Sequence, residues 1–244
     1  TVLILRLGDR DMILANDQGS SKTQALIGDE HGRIVGTGLG EGACHFLVGM
    51  DRAIQAVSVA AANVMREAAI TPDLIDRISA GMAGANWPDE FKELTRQLGM
   101  LFHLTNISVY NDCVPALYAG SQSPNAVILC AGTSFNAAVL KKRELVWIYN
   151  NYTESVDEGG KSLATRAMEG VFRSMTGMGP QTSLKGRALA FFGYVDILPM
   201  LLDFSRGSMR KPLKDFAVVV DEEAMNGDEV ALQAQYEFGL SVSR

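Results

Sequence analysis

Three aspartates in this chain stand where a carboxylate can meet a reacting group. Asp17 closes an apolar run just before a Gly-Ser-Ser turn, Asp112 follows the run Ile107-Ser108-Val109-Tyr110, and Asp157 leads into Glu158-Gly159-Gly160. Each place has an ordinary use, because a short acidic side chain caps turns and helix starts and complements the helix dipole. A second pattern gives them more meaning: a strand, a glycine–hydroxyl turn and a strand, occurring twice. Met12-Ile13-Leu14-Ala15 runs through Asn16-Asp17-Gln18-Gly19-Ser20-Ser21-Lys22-Thr23 into Gln24-Ala25-Leu26-Ile27. Placed 113 residues later, Ala126-Val127-Ile128-Leu129-Cys130 runs through Ala131-Gly132-Thr133-Ser134-Phe135-Asn136 into Ala137-Ala138-Val139-Leu140. Such turns present unblocked N–H groups and short O–H donors, which an anionic phosphate requires, and Lys22 adds charge. Asp17, before the first turn, is placed to orient a magnesium ion against a bound triphosphate. Three carboxylates with two phosphate-type turns suit phosphoryl transfer to a hydroxyl group: one for the metal, one for the acceptor's proton and one to hold the acceptor.

The elements that must position these residues follow from periodicity. Strands are expected at Met12–Ala15, Gln24–Ile27 and Arg33–Gly38, with a buried strand ending at Asp17 and a turn at Asp29–Gly32. A long helix is expected over Val48–Ala69, a strand over Ile78–Gly84, a helix over Pro88–Leu98, a strand over Ile107–Tyr110 and a helix over Val114–Ala119. The second hairpin then starts the order again, followed by helices over Glu158–Thr176, Leu184–Phe192, Ile197–Phe204, Leu213–Met225 and Asp228–Leu240. A repeated order predicts two α/β domains of related topology with a cleft between them, residues 12–119 and 120–244. The second spends its residues on helices without returning to its sheet, so the expectation is of a domain cut short at its C-terminus.

With 244 residues, 47% of them hydrophobic, the chain can bury a substantial core. Its net charge of −6, without a Lys/Arg cluster, argues against nucleic-acid binding. The apolar start Thr1–Leu7 is too short for a membrane span, so no membrane partner is expected. Cys44, Cys113 and Cys130 show no CxxC spacing, so neither a zinc site nor a disulfide framework is implied, and a reducing cytoplasm fits best.

Seven motifs in order carry a family resemblance. Asp17-Gln18-Gly19-Ser20-Ser21-Lys22-Thr23 resembles the first phosphate loop, Asp-Gly-Gly-Gly-Thr-Lys-Thr, of the superfamily of sugar kinases, actin and heat-shock-chaperone ATPases. Within it the chain resembles the N-acetylglucosamine kinase branch, grouped with the BadF/BadG/BcrA/BcrD-type ATPases. Gly42-Ala43-Cys44-His45-Phe46-Leu47 is similar to that branch's sugar loop, Gly81-Met82-Ala83-Gly84 to a strand end, and Val109-Tyr110-Asn111-Asp112 to the segment bearing its catalytic Asp. Ala131–Asn136 is similar to the second phosphate loop, Val156-Asp157-Glu158-Gly159 to a sugar motif, and Gly177–Thr182 to a Gly-rich turn.

The resemblance implies two ribonuclease-H-like (actin-like ATPase) domains and an ATP- and Mg²⁺-dependent kinase acting on N-acetylglucosamine or glucosamine. Asp112 would be the general base, and Asp17 would place the metal. Gly19, Ser20, Ser21, Lys22, Thr23, Gly132, Thr133 and Ala217 would contact nucleotide, and Cys44, His45, Asn136 and Asp157 the sugar. A homodimer is among the assemblies open to it. Gln18 and Ser20 stand where the family carries glycines, which predicts a bulkier first loop. Cys44 replaces Asn, Phe46 replaces Trp and Val156 replaces Gly, changes that bear on which sugar is taken. Two other functions stay open: an ATPase activator coupling hydrolysis to electron transfer, for which the expected local cysteine pair is lacking, and a nucleotide-dependent sensor.

Overall fold

The computed structural model describes residues 12–149 and 159–243. By compactness the chain divides into two units, one holding described residues 12–128 and 137–149, the other 129–136 and 159–243. The stretch around Gly120–Asn125 stays with the first unit in this division.

In the first unit β1 (Met12–Gln18), β2 (Lys22–Gly28) and β3 (Ile34–Glu41) form an antiparallel meander. Strands β4 (Ile75–Met82) and β5 (Ile107–Asn111) join in parallel on the other side of β1, giving the order β3-β2-β1-β4-β5. The strands run further than the sequence suggested because β1 and β2 stay paired up to Gln18 and Thr23. Parallel strands need long crossovers, supplied by the helices α1 (His45–Val48) and α2 (Met50–Ala68) and then by α3 (Pro88–Phe102). Helix α4 (Cys113–Gly120) follows β5 directly.

Alternation decides what each strand buries. Leu14, Asn16 and Gln18 point inward along β1, as do Thr23, Ala25 and Ile27 along β2. Helix α2 presents Ala53, Ala56, Val57, Ala60, Ala61 and Val64 to the core, a stripe with helical period. It lies unusually close to β3: a Cβ on Gly38 would sit 2.5 Å from the Ala60 carbonyl oxygen and from the Val64 amide nitrogen. Glycine at that position is therefore what lets the helix settle on the sheet. Burying Leu14, Ile27, Ile78, Leu94 and Leu98 completely contributes roughly 1.5–3 kcal/mol for each side chain.

Strands β6 (Ala126–Ala131), β7 (Phe135–Lys141) and β8 (Glu144–Ile148) form a second sheet in the order β6-β7-β8. The offset of 113 residues that puts Gly132 on Gly19 carries Lys22–Gly28 onto Phe135–Lys141, the observed span of β7. Beyond residues 129–136, the regular elements described in the second unit are helical: α5 (Gly160–Met175), α6 (Leu184–Phe192), α7 (Ile197–Ser205), a 3-10 turn (Leu213–Phe216), α8 (Ala217–Met225) and α9 (Glu229–Val242). Their shared core centres on Met168, Leu184, Phe192 and Phe216. Asp228 caps α9, taking the Ala231 N–H at 3.0 Å, and also binds Thr182 and Ser183 of the preceding Gly-rich turn. Among the described residues no single helix is long and apolar enough to cross a membrane.

Candidate active site

The three parallel strands of the first unit end level. Gln18, Met82 and Asn111 are register partners, and one step earlier so are Asp17, Gly81 and Tyr110. Open α/β sheets place their reacting groups beyond the carboxyl ends of such strands. The first phosphate-type turn, the Ala83-Gly84 bend and Asp112 all leave from this edge.

Asp112 stands at the start of α4, where a carboxylate would by default cap the helix. Its neighbour does that work instead: buried Asn111 accepts the Cys113 N–H at 3.0 Å, and its amide donates to Asn86 Oδ1 at 2.8 Å and to the Ala85 carbonyl at 3.2 Å. The Asp112 side chain makes no capping bond to the first turn of the helix. Burial pushes the Asp112 carboxyl up to about 6, with the nearby Asp17 charge adding to the rise and the N–H groups of Asp112 and Cys113 partly offsetting it. A carboxyl poised there is suited to general base work near neutral pH. Gly81 makes the approach possible, since a Cβ would sit 2.8 Å from Pro115 Cγ and 3.4 Å from Asp112 Cα.

Asp17 is exposed rather than buried, because strand alternation turns it away from the core that Asn16 and Gln18 face. Partial burial of its carboxyl raises the pKa, and the Lys22 ammonium pulls it back. Gly19 closes the first turn by donating its N–H to the Lys22 carbonyl at 2.9 Å, leaving Ser20, Ser21 and Lys22 exposed. The loop behind it acts as a buttress: Ala43 N–H donates to the Gly19 carbonyl at 3.1 Å, and a Cβ on Gly42 would fall 2.3 Å from the Ser21 carbonyl carbon.

Two side chains beside this turn point away from it, into the core. Thr23 is fully buried and its hydroxyl donates to the Glu41 carbonyl at 2.7 Å, so it holds β3 to β2 and is not turned toward the exposed side of the turn. Gln18 does not enlarge the turn either: its side chain points into the core and donates to the Ala53 carbonyl of α2 at 2.7 Å.

The buttress continues into the loop expected to wall the sugar. Cys44 is 1% exposed. Burial, with the Asp112 and Glu90 charges adding to it, pushes its thiol up to about 11 against the lowering effect of two backbone N–H groups. Its sulfur and the Phe46 ring close on Gly84, which has φ +80 and where a Cβ would sit 2.6–2.7 Å from them. His45 packs inward with Nε2 3.3 Å from Glu90 Oε1. Glu90 Oε2 meanwhile accepts the N–H groups of Asn86 and Trp87 at the start of α3. Cys44 and His45 therefore shape the loop from inside, whereas Phe46 and Leu47 are each 65% exposed. Among the described residues no group of three or more His, Cys, Asp or Glu side chains could hold a metal ion by itself.

In the second unit Gly132 N–H donates to the Ser134 carbonyl at 2.9 Å, a turn one residue tighter than the first. Thr133 and Ser134 are exposed, and Asn136 is buried at the start of β7. The N-terminus of α5 lies against this turn: Gly160 N–H donates to the Gly132 carbonyl at 2.8 Å, and a Cβ on Gly159 would strike the Thr133 carbonyl oxygen at 2.4 Å. Ala217 packs on Gly160, 3.4 Å from where its Cβ would be. The structure thus gathers Gly132, Thr133 and Ala217 in one place. Asp157 lies outside the described residues. Sequence reasoning missed Asn111, Glu90 and Lys214, whose Nζ donates to Thr133 Oγ1 at 3.4 Å.

A family model, the BadF/BadG/BcrA/BcrD ATPase family, matches residues 17–240. Among solved structures, a provisionally named N-acetylglucosamine kinase from Chromobacterium violaceum superposes with a TM-score of 0.71 at 17% identity, covering 95% of this chain and 80% of that one. Its provisionally named counterpart from Porphyromonas gingivalis gives 0.68 at 18% identity, covering 91% and 76%. A ROK family glucokinase from Streptomyces griseus, in complex with glucose and AMPPNP, gives 0.59 at 16% identity, covering 91% and 74%. No curated protein matches the chain. The fold is α/β, of the actin-like ATPase type built from ribonuclease-H-like domains.

Proposed function

The chain belongs to the BadF/BadG/BcrA/BcrD ATPase family, and from that premise we propose that it is an ATP-dependent kinase phosphorylating a hydroxyl of an amino sugar, N-acetylglucosamine or glucosamine. The observation that carries this reading is Asp112: a carboxyl relieved of capping by Asn111 and held at about 6 beside a second carboxylate. In the reaction the acceptor oxygen attacks the terminal phosphorus of ATP. Its proton passes to the Asp112 carboxylate, and the bond to the bridging oxygen breaks to release ADP.

The turn Gly19–Lys22 offers N–H groups, two hydroxyls and an ammonium to phosphate oxygens. Gly132 and Thr133 form the second phosphate turn, and Ala217 is a wall for the adenine. Asn136, Asp157, Cys44 and His45 are assigned to the sugar. The residues fit Mg²⁺, which takes one or two carboxylates and completes its shell with water and phosphate oxygens. Asp17 would hold it, and the repulsion between Asp17 and Asp112 is what a divalent cation would relieve. Bound there, the ion would offset charge developing on the transferred phosphoryl group.

The test is ADP release by the full chain with MgATP and, in separate reactions, N-acetylglucosamine, glucosamine, N-acetylmannosamine, glucose or no sugar. Release that depends on a hexosamine supports the reading; an equal rate in every arm removes the sugar. The burial of Cys44 and His45 favours a second reading, a family ATPase that hydrolyses ATP without a sugar acceptor. The sugar-free arm decides between them.

A further inference from the structure

The two turns are alike in their glycine and hydroxyls but not in their charge. The offset that carries Gly19 onto Gly132 carries Ser20 onto Thr133, Ser21 onto Ser134 and Lys22 onto Phe135. Phe135 is 3% exposed, so a core ring takes the place of the ammonium that follows the first turn. Lys214 brings an ammonium to the second turn from another element, donating from Nζ to Thr133 Oγ1 across 81 positions of sequence.

Its position is fixed from two sides. The 3-10 turn that carries it is anchored by fully buried Phe216, whose ring centre lies 5.4 Å from that of Phe191 and 5.2 Å from that of Phe192. The Lys214 carbonyl oxygen lies 3.0 Å from where a Cβ on Gly160 would sit, so the backbone rests directly on the first turn of α5.

We propose that Lys214 is a nucleotide-binding residue, its ammonium neutralising a phosphate oxygen held at the turn Gly132–Ser134. This deepens the kinase reading and rests on it. A lysine ammonium is a compact point charge that pairs with oxyanions, so the ligand class is a nucleoside di- or triphosphate and not the nucleoside alone.

Calorimetry of the full chain with ADP and with adenosine tests the assignment. Lys214→Met should weaken ADP binding roughly tenfold or more and leave adenosine binding unchanged. Lys214→Arg, which keeps the charge, should retain most of the ADP affinity. Added salt should weaken ADP binding more steeply in the wild type than in Lys214→Met. Lys214→Gln, which keeps a donor to Thr133 and drops the charge, serves if the methionine variant does not fold. Equal ADP affinity in the wild type and the uncharged variants overturns the role of Lys214 and leaves the kinase reading standing. A parallel loss for ADP and adenosine overturns it too, since that marks a structural effect. A wild type that binds no ADP removes the kinase reading and this assignment with it.

Discussion

Asp112 is where one side chain decides most. Asp112→Asn should lower sugar-dependent ADP release roughly 10²-fold or more while leaving ADP affinity near that of the wild type, read by steady-state kinetics beside calorimetry. The base must be ionised to accept a proton, so kcat/KM should fall as pH drops through about 6. In the chain without metal or nucleotide, Asp17→Asn removes a charge that raises this pKa and should lower it, read by titration of the Asp112 carboxyl. Stability has its own sign. A carboxyl whose folded pKa lies above its unfolded value of 3.8 stabilises the fold below 3.8 and loses that contribution as pH rises through about 6. Without nucleotide or metal, Asp112→Asn should therefore stabilise the fold at pH 7 by an amount on the order of 3 kcal/mol, read as a higher melting temperature, and the gain should vanish below about pH 4.

At the scale of elements, the first turn and the loop after β3 are one mechanical piece, because Gly42 lies against Ser21 and Ala43 bonds to Gly19. Gly42→Ala should push the Ser21–Lys22 peptide outward and weaken ADP binding, with a loss of thermal stability of roughly 1–3 kcal/mol. Unchanged ADP affinity and melting in that variant would show that the loop gives way freely.

How far these elements could be read in advance depended on sequence distance. The β1–β2 hairpin and its repeat were legible from glycines and alternation, and α2 from its Ala/Val stripe. Thr23 was assigned to phosphate because it sits inside the motif, although its parity with Ala25 and Ile27 already marked its side chain as inward. Asn111 and Glu90 left local traces, an amide before a strand-to-helix junction and an acid two residues after Pro88. Lys214 left none, since its contact is with a residue 81 positions away.

At the scale of the molecule, ligands should report through the whole fold. ADP at about 100 times its dissociation constant should stabilise the folded chain by about 2.7 kcal/mol, a rise in melting temperature of roughly 5–11 °C for a chain of this size. Scanning calorimetry with and without ADP reads this directly, and a null shift at saturation would contradict the nucleotide site. Lys214→Met should show a smaller rise at the same ADP concentration.

The first unit is discontinuous, with residues 129–136 given over to the second and 137–149 returned to it. On a ribosome the five strands of the first sheet have all been made once Asn111 is polymerised, yet the unit is still short of β8. The Gly132 turn is made next, 81 positions before the lysine that binds its threonine. At about 5–20 residues per second, the nascent chain carries that turn without its cation for roughly 4–16 seconds. A chain stalled just before Lys214 would already hold Asp112 and both glycine turns. It would lack the ammonium at the second turn and Ala217, so on the proposed reading nucleotide capture waits until residues 214–217 have been made.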